Sequence, residues 1–369
     1  MRHRFLIKAL CSAHFKKPCR FLAEGFKARV SQLSIDNTRG AKVTITGGLT
    51  DVPGIFVGCA EDKSGRTGLT VVLCPNGAVP GVDVRGGNPG TQLTDALKPG
   101  AKDNTVRAVL LTGGSNFGLP ATGGVMRWLV QNVNREVPVV PAAVIYDVDY
   151  ANGVSPPDAE MAYAACTRAN SGPVPEGSVG AGAGATVGKF YGRPMKGGQG
   201  TAAIRIPGGP VVAALAVVNP LGDVWDQGRI VVGAVWPDGT FVNQTRTMLE
   251  GVPSPLFAEQ TNTTIAVIAT SAMLTRAEAS RVATLAQDGL ARAVSPIHTQ
   301  WDGDTVFCLA TGMDPGYPTG DAAITVLGTA AAVVLERAVV RGALAAQTRN
   351  TVSNAANAPN ASNTMGRIR

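Results

Sequence analysis

Imidazole is almost absent from this chain of 369 residues: His3 and His14 lie near its start, and His298 is the only histidine in the remainder. A Ser-His-Asp triad would have to be built on His298, which follows Pro296 and Ile297 in what reads as a turn between a helix and a strand. Cysteine is sparse too. Cys11, Cys19, Cys59, Cys74, Cys166 and Cys308 are widely spaced without a CxxC pair, so neither a zinc site nor a disulfide framework is indicated, and a reducing cytoplasm is the expected compartment. Long apolar runs are missing as well. Val211–Val218 ends at Asn219 and Ala330–Leu335 ends at Glu336. Both fall far short of the ~20 residues needed to cross a bilayer, so no membrane partner is expected.

Charge is low, at 16% of residues, and its one asymmetry is local. The net charge of +7 traces to residues 1–35, where Arg2, Arg4, Lys8, Lys16, Lys17, Arg20, Lys27 and Arg29 face a single acid, Glu24. The rest of the chain carries 25 basic and 25 acidic residues, which leaves no support for a nucleic-acid-binding face. Lys8 interrupts the apolar stretch Phe5–Leu10, so no secretory h-region is read there. Residues 1–35 are expected to form a poorly ordered basic leader. The Asn-, Ala- and Ser-rich segment 350–369 lacks apolar periodicity and is expected to be a disordered tail.

What is abundant is glycine, with 45 residues, and proline, with 24, in short clusters between apolar runs. That pattern predicts many strands joined by tight turns in one large α/β domain or two smaller ones. Strands are expected at Val43–Thr46, Gly68–Cys74, Ala78–Val84, Ala108–Thr112 and Val137–Asp147, with helices over 118–134 and 157–170. Hairpins are expected around Pro207-Gly208-Gly209 and Pro237-Asp238-Gly239. An irregular connector over 244–260 leads into a strand that starts abruptly at Thr263. Thr275 and Glu278 form a capping-box pattern opening a helix to about Val294, Thr305–Ala310 reads as a strand, and an Ala/Val-rich helix over about 319–347 closes the domain.

The junction Asn262-Thr263-Thr264 before Ile265-Ala266-Val267-Ile268-Ala269 is the sharpest local feature. Thr263 and Thr264 are either β-branched residues starting a strand or the seat of chemistry. A threonine hydroxyl on a rigid strand end can attack the preceding carbonyl, convert the amide to an ester and let water release a new amino terminus. The freed amine can then act as base to its own hydroxyl, with no histidine required. Downstream, Asp302-Gly303-Asp304 is either an Asp-Gly turn or a pair of carboxylates at positions i and i+2 that share one side of a strand end. Two carboxylates without a third ligand do not make a metal site, and none is expected. The run Gly180 to Lys189 lacks the GK[ST] ending of a phosphate loop, because Phe190 follows Lys189. Nor is Gly113-Gly114-Ser115 a nucleophile elbow.

From Asp51 to Leu344, eight ordered segments resemble the self-processing hydrolases that include D-aminopeptidase/esterases, β-peptidyl aminopeptidases and nylon-oligomer (6-aminohexanoate-oligomer) endohydrolases. They are 52–55 (VPGI), 83–87 (DVRGG), 111–115 (LTGGS), 143–147 (AVIYD), 180–189, 218–220 (VNP), 262–264 (NTT) and 302–304 (DGD). The Asn-Thr-Thr junction looks closest to the nylon-oligomer branch. The resemblance implies a four-layer αββα sandwich of N-terminal-nucleophile hydrolase type, with one catalytic domain over 36–349 cut between Asn262 and Thr263 into two chains. It implies Thr263 as nucleophile, oriented by Asp302 and Asp304, with Lys189 tuning its amine, Asn219 donating to the oxyanion and Tyr146 lining the substrate site. From the residues alone, Lys189 also reads as a solvated cation, Asn219 as a turn residue and Tyr146 as core packing. The implied enzyme is a cofactor-free amidase acting on small or oligomeric linear amides and assembled as a tetramer of cut units. An aminopeptidase of the same family, a self-cleaving N-acyltransferase and a non-enzymatic binding protein are the alternatives.

Overall fold

The computed structural model describes residues 33–35, 43–102, 105–134, 138–148, 154–253 and 262–356. The first part of the chain supplies β1 (Leu33–Ile35), β2 (Val43–Thr46), β3 (Phe56–Glu61), β4 (Gly68–Val84), β5 (Thr91–Gln92), β6 (Val106–Thr112), α1 (Thr122–Asn132), β7 (Ala142–Val144) and α2 (Ala159–Arg168). There follow β8 (Thr186–Val187), β9 (Met195–Lys196), β10 (Gly198–Arg205), β11 (Val211–Asn219), β12 (Asp223–Asp226), β13 (Arg229–Val232) and α3 (Gln244–Leu249). The last part forms β14 (Thr263–Ala272), α4 (Arg276–Ala293), β15 (Val294–Ser295), β16 (Thr305–Asp314) and α5 (Asp321–Ala356).

Hydrogen bonding links the strands in the order β1-β2-β10-β11-β14-β16-β4-β6-β7-β5, with β3 on β4. β4 serves two sheets: its first half pairs with β3 and β6, its second half with β16. Two strands were expected here; the structure has one, whose ladder to β6 shifts between Leu73 and Ala78, around Pro75-Asn76-Gly77. The turn residues irregularise the strand without ending it, because the flanking apolar residues find partners in both sheets.

The two sheets face each other, and strand alternation shows how. In β14, Ile265, Val267 and Ala269 join Leu215 and Val217 of β11, Phe307 and Leu309 of β16, and Val72, Val109 and Leu111 of the second sheet in one buried layer. The opposite face of β14, with Ala266 and Ile268, packs with Val282, Ala286 and Leu290 of α4 and Leu327, Val334 and Ala338 of α5. On the far side, Leu69, Val71, Ala108 and Leu110 pack against α1 and α2 through Val125, Leu129, Ala162 and Cys166. The result is the expected αββα sandwich. Being buried on both faces is why β11 and β14 read as continuous apolar runs instead of alternating ones.

Several local expectations hold. The Pro207-Gly208-Gly209 hairpin joins β10 to β11, and Thr275 with Glu278 forms a complete capping box on α4. Others shift. The hairpin across Pro237-Asp238-Gly239 is present but shorter than expected: Val235 bridges Phe241 and the Trp236 N–H donates to Thr240 O at 2.9 Å, whereas β13 pairs with β12 across Gln227-Gly228. Part of the connector is helical, because the Asn243 side chain caps α3 by accepting from the Arg246 N–H; residues 254–261 lie outside the described residues. Of the leader, only Leu33–Ile35 is described, paired with β2, and α5 continues past position 350 to Ala356. By length and composition α5 is apolar enough to cross a bilayer, which the run lengths did not anticipate, yet most of that stretch is buried against the protein itself.

Candidate active site

Register in the first sheet builds the site. β14 and β16 run parallel, and β11 runs antiparallel to β14, so the start of β14, the start of β16 and the end of β11 meet at one edge. Thr263 pairs with Asn219, and Asn262 bridges Asp302. Asn219, Asn262, Thr263, Asp302 and Asp304 are fully buried, and Lys189 is 7% exposed.

At the centre, the Thr263 hydroxyl donates to the carbonyl oxygen of Asn262, the peptide that links the two residues. That same oxygen accepts the Gly303 N–H at 3.0 Å, while the Asn262 N–H donates to Trp301 O at 2.9 Å. The junction is thus held on both sides by the turn 301–303.

Each carboxylate has its own set of donors. Asp304 accepts the Thr264 N–H at 2.7 Å on one oxygen, and on the other the His298 N–H at 3.1 Å, with His298 Nδ1 at 2.8 Å. Asp302 accepts from Leu221 N at 3.2 Å, and from the N–H and hydroxyl of Thr299. Asp304 therefore reaches Thr263 through the next peptide, not through the hydroxyl. Burial, reinforced by the neighbouring Asp304 charge, raises the pKa of Asp302 well above the carboxylate range.

Lys189 points at Asn219. Its Nζ donates to Asn219 O at 2.7 Å and to Asn219 Oδ1 at 2.9 Å, and Oδ1 also takes the Thr186 N–H at 3.0 Å. Two donors on one side-chain atom identify that atom as the amide oxygen, which leaves Nδ2 as a donor; it lies 3.3 Å from Tyr146 O. Burial pushes the Lys189 ammonium down to about 7, opposed by the charges of Asp302, Asp147 and Asp304. Tyr146 is half-buried and its hydroxyl donates to Asn116 Oδ1 at 3.0 Å.

Asp147 was missed as a site residue, although it ends one of the resembling segments. Its carboxylate accepts Thr67 Oγ1 at 2.8 Å and Gly114 N at 2.7 Å, and burial raises its pKa to about 6. A Cβ on Gly113 or Gly184 would come within 2.3 Å of Asp147 Oδ2, so glycines in two of the motifs make room for this one carboxylate. His298, read from sequence as a turn residue, is the other omission. It adopts φ +55°, uncommon for a residue with a Cβ, and in that conformation turns both its N–H and its ring toward Asp304. No cluster of three or more metal-ligating side chains occurs among the described residues.

A hydroxyl on a buried strand end, two carboxylates, a buried lysine and a buried side-chain amide, set in an αββα sandwich, fit an amide hydrolase with the N-terminal-nucleophile hydrolase fold. The chain belongs to peptidase family S58, which matches residues 47–356. An uncharacterised aminopeptidase of Mycobacterium leprae is 41% identical over 81% of this chain and 90% of its own length. A 6-aminohexanoate-oligomer endohydrolase of Agromyces sp. is 33% identical over 79% of this chain and 84% of its own. Among solved structures, a Burkholderia sp. β-aminopeptidase matches with TM-score 0.59 and 26% identity, covering 80% of this chain and 86% of that one. The Ochrobactrum anthropi L-aminopeptidase D-Ala-esterase/amidase, described as a variant of the Ntn-hydrolase fold, matches with TM-score 0.60 and 22% identity over 81% and 86%, a likeness of fold. The resemblance of the Asn-Thr-Thr junction to the nylon-oligomer branch thus stands beside a higher overall identity to a protein named as an aminopeptidase.

Proposed function

We propose that this hydrolase matures by cutting itself between Asn262 and Thr263 and then uses Thr263 to hydrolyse linear amides, such as 6-aminohexanoate oligomers or short peptides. The observation that carries the reading is the contact of the Thr263 hydroxyl with the carbonyl of Asn262, on the first residue of a fully buried strand. In the first step Thr263 Oγ1 bonds to the Asn262 carbonyl carbon, the C–N bond breaks and the hydroxyl proton passes to the nitrogen. Water then hydrolyses the ester, returning the hydroxyl and leaving a carboxylate on Asn262.

In turnover the new α-amine takes the hydroxyl proton as Oγ1 attacks the substrate carbonyl. Asn219 Nδ2 donates to the oxyanion, Lys189 lowers the amine's pKa by its charge, Asp302 and Asp304 fix the strand starts, and Tyr146 lines the substrate side. No cofactor enters this chemistry. The working form is a tetramer of cut units acting in the cytoplasm on small or oligomeric amides, without nucleic-acid or membrane partners.

Intact mass spectrometry tests the reading: fragments spanning 1–262 and 263–369 are expected, and a full-length chain that is active would refute it. A second reading, release of an N-terminal residue, is favoured by the 41% identity to the mycobacterial protein named as an aminopeptidase. Loss of activity on N-acylated substrates would select it over endo-cleavage. A self-cleaving N-acyltransferase would require an acyl acceptor for activity.

A further inference from the structure

We infer that the peptide N–H of Gly303 is the oxyanion donor for self-cleavage, a role separate from that of Asn219 in substrate turnover. This inference rests on the self-cleavage proposed above. When Thr263 Oγ1 adds to the Asn262 carbonyl, negative charge collects on the Asn262 oxygen. In the uncut chain that oxygen already receives the Gly303 N–H at 3.0 Å. A donor placed before the reaction needs no reorganisation as charge develops, which is where such groups contribute most.

Three features make this peptide a fixed and strengthened donor. The carbonyl on the other end of the same peptide, Asp302 O, accepts the Asn88 N–H at 2.9 Å, so the two hydrogen bonds polarise one another. The flanking carboxylates of Asp302 and Asp304 are each anchored by backbone N–H groups, which pins the peptide between them. Gly303 itself lies so close to the 88–89 backbone that a Cβ would be 2.3 Å from Asn88 O and 2.6 Å from Pro89 Cα. Glycine at 303 is therefore required for the approach that aims the N–H at Asn262.

Asn219 is disposed differently. Its Oδ1 is held by Lys189 and Thr186, and its Nδ2 donates to Tyr146 O at 3.3 Å, so its side-chain partners are residues other than those of the 301–303 turn. The two reactions of Thr263 accordingly draw on two donors, one at the end of β11 and one in the turn that precedes β16.

The test replaces Gly303 with glycolic acid by suppressor-tRNA incorporation, exchanging the N–H for an ester oxygen without adding an atom to the crowded side. Self-cleavage, followed by mass spectrometry in a freshly folded wild-type chain and in the ester variant, should slow at least ~10²-fold in the variant. A variant that cuts at the wild-type rate would overturn the inference. A second measurement does not depend on the variant folding. In the uncut Thr263→Ala chain, labelled with 15N and 13C, a scalar coupling across the hydrogen bond from Gly303 N to the Asn262 carbonyl carbon is expected, and its absence would also overturn the inference. A wild-type chain that never cuts removes the parent reading instead, so the two failures are distinct.

Discussion

The ammonium of Lys189 grips Asn219 twice, at the backbone oxygen (2.7 Å) and at Oδ1 (2.9 Å), and through Asn219 it is tied to the strand partner of Thr263. The lysine therefore does two jobs in the proposed site. It presents the Nδ2 face of Asn219, and it sets a positive charge among Asp147, Asp302 and Asp304.

Removing each job separately is informative. Asn219→Ala deletes one preorganised oxyanion contact and should lower kcat at least ~10²-fold, or roughly 2.7–4 kcal/mol, when assayed on a linear amide. Near-normal turnover would take Asn219 out of the site.

Lys189→Met keeps most of the length of the side chain and drops the ammonium that stands among Asp147, Asp302 and Asp304. A cation lowers the pKa of a nearby amine and carboxylates raise it, so the rising limb of the pH–rate profile should move to higher pH. An unmoved limb would show that Lys189 acts only by holding Asn219.

Asp147 gives a stability prediction with a definite sign. Its pKa is raised from 3.8 unfolded to about 6 folded, so the folded state holds the proton more tightly. Stability from this group is fully present below pH ~4 and is lost as pH rises through ~6. Asp147→Asn preserves the shape, can accept from Gly114 and can donate to Thr67, but does not titrate. By urea denaturation the variant should gain stability relative to the parent between pH 4 and 7, by up to about 3 kcal/mol from the pKa difference. A difference independent of pH would rule this out.

How far the sequence carried can be read from these same residues. Thr263 was legible because a buried strand begins there without an apolar lead-in, and the β11 and β14 runs were legible because both faces are buried. Capping and hairpin signals are local, so Thr275 with Glu278 and Pro207-Gly208-Gly209 could be read directly. The role of Asp147 could not, since its partner Thr67 is 80 residues away. Nor could the path of β4, because Pro75-Asn76-Gly77 normally ends a strand and only partners in two sheets hold it together. The Asp302/Asp304 pair was found by spacing, but its division of labour depends on donors from Leu221 beyond β11, from β14 and from the 298–299 turn.

The last prediction decides which group is the base. His298 is bonded at Nδ1 to Asp304 Oδ2, at 2.8 Å, and Asp304 in turn accepts the Thr264 N–H that follows Thr263. If the freed threonine amine is the base, activity should rise with pH through an apparent pKa near the ~7.7–8.0 of a free α-amino group, displaced by Lys189 and the carboxylates. His298→Asn is the discriminating variant. Asparagine tolerates φ +55°, and its Nδ2 can take the place of Nδ1 in donating to Asp304 without titrating. Self-cleavage should persist, turnover should stay within about tenfold, and the midpoint of the rising limb should not move, because the proton acceptor is untouched. Should the limb disappear in a variant that still cuts itself, the amine cannot be the base, and a Thr263–His298 pairing would replace it.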